Sequence, residues 1–564
     1  MSQNFARFVF VSTLLFFGAF LLWPVLQILK GGFIDADGRL TFAYLGAVLT
    51  DPIYLGGLAN SFRLALTTTG LALLVALPLA FVSDRYLFPA RGLLGSLILV
   101  PMILPPFVGA IGIKQILGQY GALNALLIEL GVRPAGWTFD WLGANQFLGV
   151  ALVNALSLYP IIYLNAVAAL ANIDPAMEEA AENLGCTGLR RFRRITLPLM
   201  KPGLFAGGTI VFIWAFTDLG VPLIFDYTRV TPVQIFAGLK DIGGNPFPFA
   251  LVAVMLFSSV LLYAVGKGLF GRDPHAMMAK ATSAGGPRAL PRARAWLCTA
   301  LFAGVAGLAL LPHLGVVLVA FSTDWYGHVL PASLTLRNFS LALGHDLTVP
   351  AIANSLKSAS LATVIDLVLG VALAWVIVRS KIAGRQLLDF LAMLPLAVPG
   401  LVLAFGYLAM SQEGKFFAFL NPIENPVILL IIAYSIRRLP YVVRSAVAGF
   451  QQTSETLEEA AQNLGCPPLK ATFRITLPLI MANLIAGGLL AFSFAMLEVS
   501  DSLMLAQKQA YYPITKAIYE LFQLLGDGQL IASALGVWAM VFLGICLAGL
   551  TILLGKKLGA IFRV

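Results

Sequence analysis

The chain has 564 residues, 59% of them hydrophobic and only 11% charged, with a formal net charge of +10. Soluble domains carry about 25% charged residues, so this composition excludes a large soluble α-protein and points to an all-α polytopic membrane protein. In a soluble protein the positive charge would suggest nucleic acid; here the placement of Lys and Arg between apolar runs accounts for it, and no nucleic-acid partner is expected.

Apolar runs long enough to cross a bilayer as helix, roughly 20 residues, fall near 8–28, 60–83, 93–117, 147–171, 203–225 and 249–270. A second set falls near 297–321, 354–378, 387–410, 427–450, 482–506 and 533–555. The reading is about twelve spans, six per half. The first run, Val9 to Ile28, exceeds a signal-peptide core and has no small-x-small cleavage site after it, so it reads as a retained helix. Loop charge sets the orientation. With the N-terminus inside, the inside segments hold Arg7, Arg85, Arg91, the run Arg190 to Lys201, Arg379, Lys381, Arg385, Arg437, Arg438, Arg444, Lys470, Arg474 and the C-terminal Lys556, Lys557 and Arg563. Both termini are then expected in the cytoplasm. A Gly/Pro/Arg-rich segment at 272–295 reads as a flexible cytoplasmic linker between a first half, 1–271, and a second, 296–564.

The halves repeat one another. The segment EEAAENLGCTGLRRFRRITLPLM at 178–200 returns as EEAAQNLGCPPLKATFRITLPLI at 458–480, with fifteen identical positions. Asn60-Ser61 returns as Asn354-Ser355, and Pro101, Pro105 and Gly112 as Pro395, Pro399 and Gly406. Pro160 returns as Pro440, and Asp218 as Glu498. An even number of spans per half makes the repeats parallel, related by an axis along the membrane normal.

Within the repeated loops, 174–201 and 454–481, the spacing predicts a short helix. Asp174 is a good N-cap, Pro175 suits the first helical position and Gly185 the position after the last. Met177, Ala180, Ala181 and Leu184 share one face, as do Leu457, Ala460, Ala461 and Leu464, with Gly465 as the second turn. Glu178 and Glu179, like Glu458 and Glu459, are expected to make polar contacts. A lipid-surface helix carries bulky apolar residues with Lys/Arg opposite; this one carries Ala with Glu opposite, which suits a protein groove. Membrane lipid beside Arg190–Arg194 is the plainer contact.

Glu179-Ala180-Ala181, Gly185 and Ile195-Thr-Leu-Pro198, repeated as Glu459-Ala460-Ala461, Gly465 and Ile475-Thr-Leu-Pro478, resemble the cytoplasmic loop of ATP-binding-cassette importer permeases of the type I fold. The resemblance implies a permease whose two loops seat on two copies of a separate ATPase subunit. It also implies an external solute-binding protein and a bacterial inner membrane. The chain has no G-x-x-x-x-G-K-[ST] phosphate loop, so ATP and Mg are expected on the partner subunits, with no cofactor and no catalytic residue here. Phe216-Thr-Asp-Leu-Gly-Val-Pro222 in a fused chain looks most like ferric-iron importer permeases; thiamine and 2-aminoethylphosphonate importers stay open.

Asp218 and Glu498 sit late in equivalent spans, with Asp501 one turn on. They are either water-bathed edge residues or part of a translocation pathway, where three carboxylates would favour a cation. Asp366 lies mid-span, for a structural hydrogen bond or the pathway. His275, His313, His328 and His345 have no metal-ligand spacing, and Cys186, Cys298, Cys466 and Cys546 form no C-x-x-C pair, so neither a metal site nor a disulfide is expected. A secondary transporter would share the twelve spans but would not need two Glu/Ala helices.

Overall fold

The computed structural model describes residues 3–35, 37–143, 146–241, 245–270 and 287–554. In lipid every backbone N–H and C=O needs a partner within the protein, which this composition meets with helices. The first half runs α1 (Asn4–Phe33), α2 (Pro52–Arg85), α3 (Pro106–Leu117), α4 (Phe147–Ala171), α5 (Pro175–Asn183), α6 (Leu197–Phe216), α7 (Thr231–Ala237) and α8 (Phe247–Phe270). The second runs α9 (Arg292–Phe321), α10 (Thr348–Arg379), α11 (Gly400–Met410), α12 (Val427–Gln452), α13 (Thr456–Asn463), α14 (Leu477–Met496), α15 (Ile514–Phe522) and α16 (Gly528–Leu554). The linker residues 272–286 and the basic C-terminal residues lie outside the described region.

Among the described residues nine helices are long and apolar enough to cross a membrane, and eleven if two bent pairs each count as one. The expected tenth span is present as α12, which its three arginines keep out of that count. Four expected spans are not straight. The third bends by 97° between Arg91–Met102 and Pro106–Glu129, and the ninth by 99° between Arg385–Leu396 and Gly400–Met410. The repeated prolines cause this: Pro105 and Pro399 precede the outgoing helices, where a ring that fixes φ and lacks an N–H ends helical pairing. The fifth and eleventh break at Thr217–Leu219 and Leu497–Val499 before resuming as Gly220–Ile224 and Ser500–Leu505.

Each half has a three-helix centre, with α4 packed between α2 and α6, and α12 between α10 and α14. The first helix of each half belongs to the other half's bundle. Helix α1 crosses α11, and α9 crosses α3. Gly406 and Gly112 make the crossings possible. A Cβ at Gly406 would lie 2.7 Å from the Pro24 Cβ, and one at Gly112 would run into the Pro312 carbonyl and the Val316 nitrogen. The Tyr407 hydroxyl donates to the Phe20 carbonyl at 2.8 Å across the first crossing.

The repeated Asn-Ser pairs tie down the short helices α7 and α15. Ser61 Oγ accepts from the Thr231 N–H at 2.9 Å, and Ser355 Oγ from the Ile514 N–H at 2.7 Å. Asn60 donates to the Arg229 carbonyl and Asn354 to the Ala510 carbonyl. At the other end of the bundle the end of the expected linker is structured. Arg288–Ala289 pairs as a parallel two-residue strand with Tyr86–Leu87, and α9 begins at Arg292, inside the segment read as linker.

The crossings predict a sharp size limit. Gly406→Leu is expected to lower the unfolding temperature of the detergent-purified protein, an overpacking loss of about 1–3 kcal/mol. Gly304→Leu, where a Cβ would meet nothing within 4 Å, is expected to leave the melting curve in place.

Candidate functional site: two anchored helices and two broken spans

Helix α5 starts and stops on local signals. The Asp174 carboxylate accepts from the Ala176 N–H at 2.9 Å. Gly185 takes a φ of +77° and Gly465 a φ of +86°, values an L side chain rarely adopts. The Gly185 N–H then reaches the Glu182 carbonyl and the Cys186 N–H the Ala181 carbonyl, which satisfies the last carbonyls of the helix. The second copy repeats both bonds through Gly465 and Cys466. The matched cysteines are therefore the residues after a helix-ending glycine, and both are free thiols.

The outward face is narrower than the spacing suggested. Leu184 is 87% exposed and Leu464 90%. Met177, Ala180 and Glu179 are exposed with Leu184, and Leu457, Ala460 and Glu459 with Leu464. Ala181 is buried and Ala461 half-buried, each turned toward the protein. Glu178 and Glu458, expected to reach outward, are corrected: both are buried. The Thr196 hydroxyl donates to Glu178 at 2.7 Å, and the Arg85 guanidinium pairs with its other oxygen at 2.7 Å. In the second half Thr476 donates to Glu458, and Arg379 lies 4.0 Å away. A buried carboxylate must be paired and hydrogen-bonded. Arg85 and Arg379 supply the charge from the last residues of α2 and α10, where the helix dipole also favours a cation.

Thr196 and Thr476 end wide, π-type turns, Phe192–Thr196 and Thr472–Thr476, that lead into α6 and α14. The Thr of Ile-Thr-Leu-Pro was not singled out from sequence, although its identity in both copies was visible. Each short helix is thus bound to two spans, α5 to α2 and α6, and α13 to α10 and α14.

The pathway candidates all lie at the broken spans. Asp218 follows α6, where its carboxylate accepts from Asn154 Nδ2 and from the Gly220 N–H, both at 3.1 Å. Glu498 and Asp501 are buried. Arg437 pairs with both, at 3.3 Å to Asp501, and Arg438 pairs with Glu498 and donates to the Phe494 carbonyl. Two findings correct the sequence reading. Arg437 and Arg438 belong to the middle of α12, not to an inside loop. Glu498 and Asp501 are paired with these arginines, so of the three carboxylates only Asp218 makes no ion pair among the described residues. The two breaks meet: a Cβ on Gly220 would lie 3.1 Å from Val499. Arg437 also covers Gly400, where a Cβ would collide with its guanidinium. Asp366 makes a structural bond, accepting from the Ser435 hydroxyl at 2.6 Å and joining α10 to α12. Among the described residues no group of three His, Cys, Asp or Glu side chains could hold a metal ion.

Removing one partner from a buried ion pair costs about 3–5 kcal/mol. Arg437→Leu is therefore expected to lower the melting temperature strongly, and adding Asp501→Leu to restore much of the loss. Equal melting of wild type and Arg437→Leu would mean that the network does not hold the break.

Comparison with known proteins agrees with the two-half architecture. The family model described as binding-protein-dependent transport system inner membrane component matches twice, over 69–275 and 366–558. A putative ferric transport system permease protein of Haemophilus influenzae is 26% identical over 518 residues, covering 89% of this chain and 77% of its own length. A ferric transport system permease protein of Actinobacillus pleuropneumoniae is 26% identical over 511 residues, covering 87% and 70%. A probable molybdenum ABC transporter permease protein of Haloferax volcanii is 29% identical over 258 residues, which is 45% of this chain and 89% of that one. One half of this chain thus corresponds to nearly the whole of that shorter relative. With one family match in each half and many membrane-spanning helices, the chain belongs to the binding-protein-dependent transport system inner membrane component family, as a fused two-half ABC permease of the inner membrane.

Proposed function

We propose that this chain forms the translocation pathway of an ATP-driven importer of ferric iron, and that α5 and α13 each seat on one copy of a separate ATPase subunit. The observation that carries the coupling reading is the two-sided build of these helices. One side holds a buried glutamate fixed to two membrane spans. The other presents a leucine almost wholly to solvent, flanked by an exposed alanine and glutamate. An apolar residue held out in this way on a well-capped helix suits a groove in another protein. Displacing the helix would pull on the spans through Glu178 and Thr196, or through Glu458 and Thr476.

In this reading ATP and Mg stay on the partner subunits, a solute-binding protein docks at the opposite end, and both termini lie in the cytoplasm. The ferric cargo is supported by two relatives whose names carry it and whose matches cover 89% and 87% of this chain. Arginines occupy Glu498 and Asp501 and no group of three metal-ligating side chains is found among the described residues, so the metal is expected to be handed over by the binding protein.

Leu184→Glu with Leu464→Glu is expected to abolish co-purification of the ATPase and transport-linked ATP hydrolysis, while expression and melting temperature hold. Full hydrolysis and uptake in that variant would remove α5 and α13 as the coupling elements. For the cargo, the solute-binding protein encoded beside this chain is expected to bind ferric iron in a titration and to ignore thiamine and 2-aminoethylphosphonate. Binding of either organic solute in place of iron would overturn the iron assignment.

A further inference from the structure

At the end of the bundle opposite α5 and α13, helices α7 and α15 bring the two halves together. Both hang from near the starts of α2 and α10, the spans whose last residues anchor α5 and α13. Ser61 accepts from the Thr231 N–H and Ser355 from the Ile514 N–H, which makes Thr231 and Ile514 equivalent positions. Five residues on from each stand Phe236 and Tyr519. These two rings meet across the halves, edge to face, with centroids 6.4 Å apart and planes at 89°. A contact between equivalent residues straddles the axis that relates the halves, and a pathway shared by both halves runs along that axis.

A buried ammonium fastens this contact. Lys516 is 5% exposed. Its Nζ lies 5.8 Å from the Phe236 ring of the first half, and 5.4 Å and 5.8 Å from the Tyr512 and Tyr519 rings of the second. All three fall within the reach of cation–π attraction, about 6 Å. Glu520, one turn on, pairs with it at 2.9 Å. A second cation crosses the other way. Lys114 on α3 lies 5.6 Å from the Phe522 ring on α15 and donates at 3.5 Å to the Ile224 carbonyl, at the end of the segment that resumes after the first break. At the second break the Thr515 hydroxyl donates to the Glu498 carbonyl at 2.7 Å. The fastening is thus tied to both broken spans. The fold itself requires no charge here: Val233 fills the position equivalent to Lys516, and Ala237 that of Glu520. An apolar side chain would hold the rings together with no charge to desolvate. An ammonium gives up water to close and regains it when the rings part, which makes the closure reversible.

We propose that Lys516 is a latch, a positioning residue that holds this end of the pathway shut through Phe236, and that the end opens when its ammonium leaves that ring for water. Only the second half carries the latch residue, and the first half supplies the ring it closes on. The proposal rests on the reading of the chain as a translocation pathway.

The test is a distance measurement that needs no cargo and no ATPase, so a failed latch shows in the distance and a failed pathway reading in uptake. Spin labels go on Ala237→Cys and Leu525→Cys, both exposed, in the full chain in nanodiscs with its four native cysteines replaced by serine. Pulsed electron paramagnetic resonance is expected to give one short distance in this parent. Lys516→Met keeps the length and removes the charge. It is expected to add a longer distance and to raise the open-to-closed ratio about tenfold, and Phe236→Leu, at a half-buried position, to do the same. Lys516→Arg, which keeps a cation over the rings, and Lys508→Met, which removes an exposed lysine at the same end, should both leave the parent distribution. An unchanged distribution in either of the first two variants, or an equal shift in either of the last two, would overturn the proposal.

Discussion

A helix interrupted inside a bilayer leaves amide and carbonyl groups that lipid cannot satisfy, and the rest of this structure is arranged around that constraint. The chain breaks α6 at Thr217–Leu219 and α14 at Leu497–Val499, and bends sharply before α3 and α11. Side chains from neighbouring helices hold the breaks. Asn154 on α4 holds Asp218, and Arg437 and Arg438 on α12 hold Glu498. Helices α4 and α12 are therefore the fixed centres, and the breaks they support are where the halves touch.

The two centres solve the same problem with different chemistry. A neutral amide meets the first-half acid, while two guanidiniums meet the second-half pair. Charge pairs buried this deeply hold geometry tightly because either partner alone is costly, so the second break is held by stronger electrostatics than the first. The loop ends differ as well: α5 stands beside the docked strand Arg288–Ala289, while α13 stands beside the N-terminal turns of α1. A symmetric pair of partners would meet an asymmetric load.

Features carried by neighbouring residues in the chain were legible in the sequence. Asp174 and Gly185 announced the ends of α5 and the repeat announced two halves; the paired prolines were visible only as repeats, inside runs read as single spans that in fact bend there. Features that depend on a distant partner were not. Glu178 and Glu179 look alike in sequence, and only the position of Thr196 and Arg85 decides that one is buried and the other exposed. Arg437 and Arg438 read as loop charges because periodicity says nothing about a carboxylate sixty residues away. The breaks after Phe216 and Met496 have no proline at the break, and the acids that sit there, Asp218 and Glu498, were read as pathway candidates inside continuous spans and not as the marks of a break. Asn60-Ser61 and Asn354-Ser355 were visible as repeats, but what they cap lies about 170 and 160 residues further on.

The exchange of first helices has a consequence for how the molecule is made. Gly109 and Gly112 on α3 pack against Pro312 and His313 on α9, a helix synthesised after the whole first half and the linker. Until α9 has entered the membrane, the notch on α3 stands open to lipid. The first half is then a receptacle awaiting its lid, and α1 is a lid awaiting α11. Assembly can finish only once both halves are present, so the clasp checks completeness: a chain truncated in its second half leaves α1 with no α11 to close on.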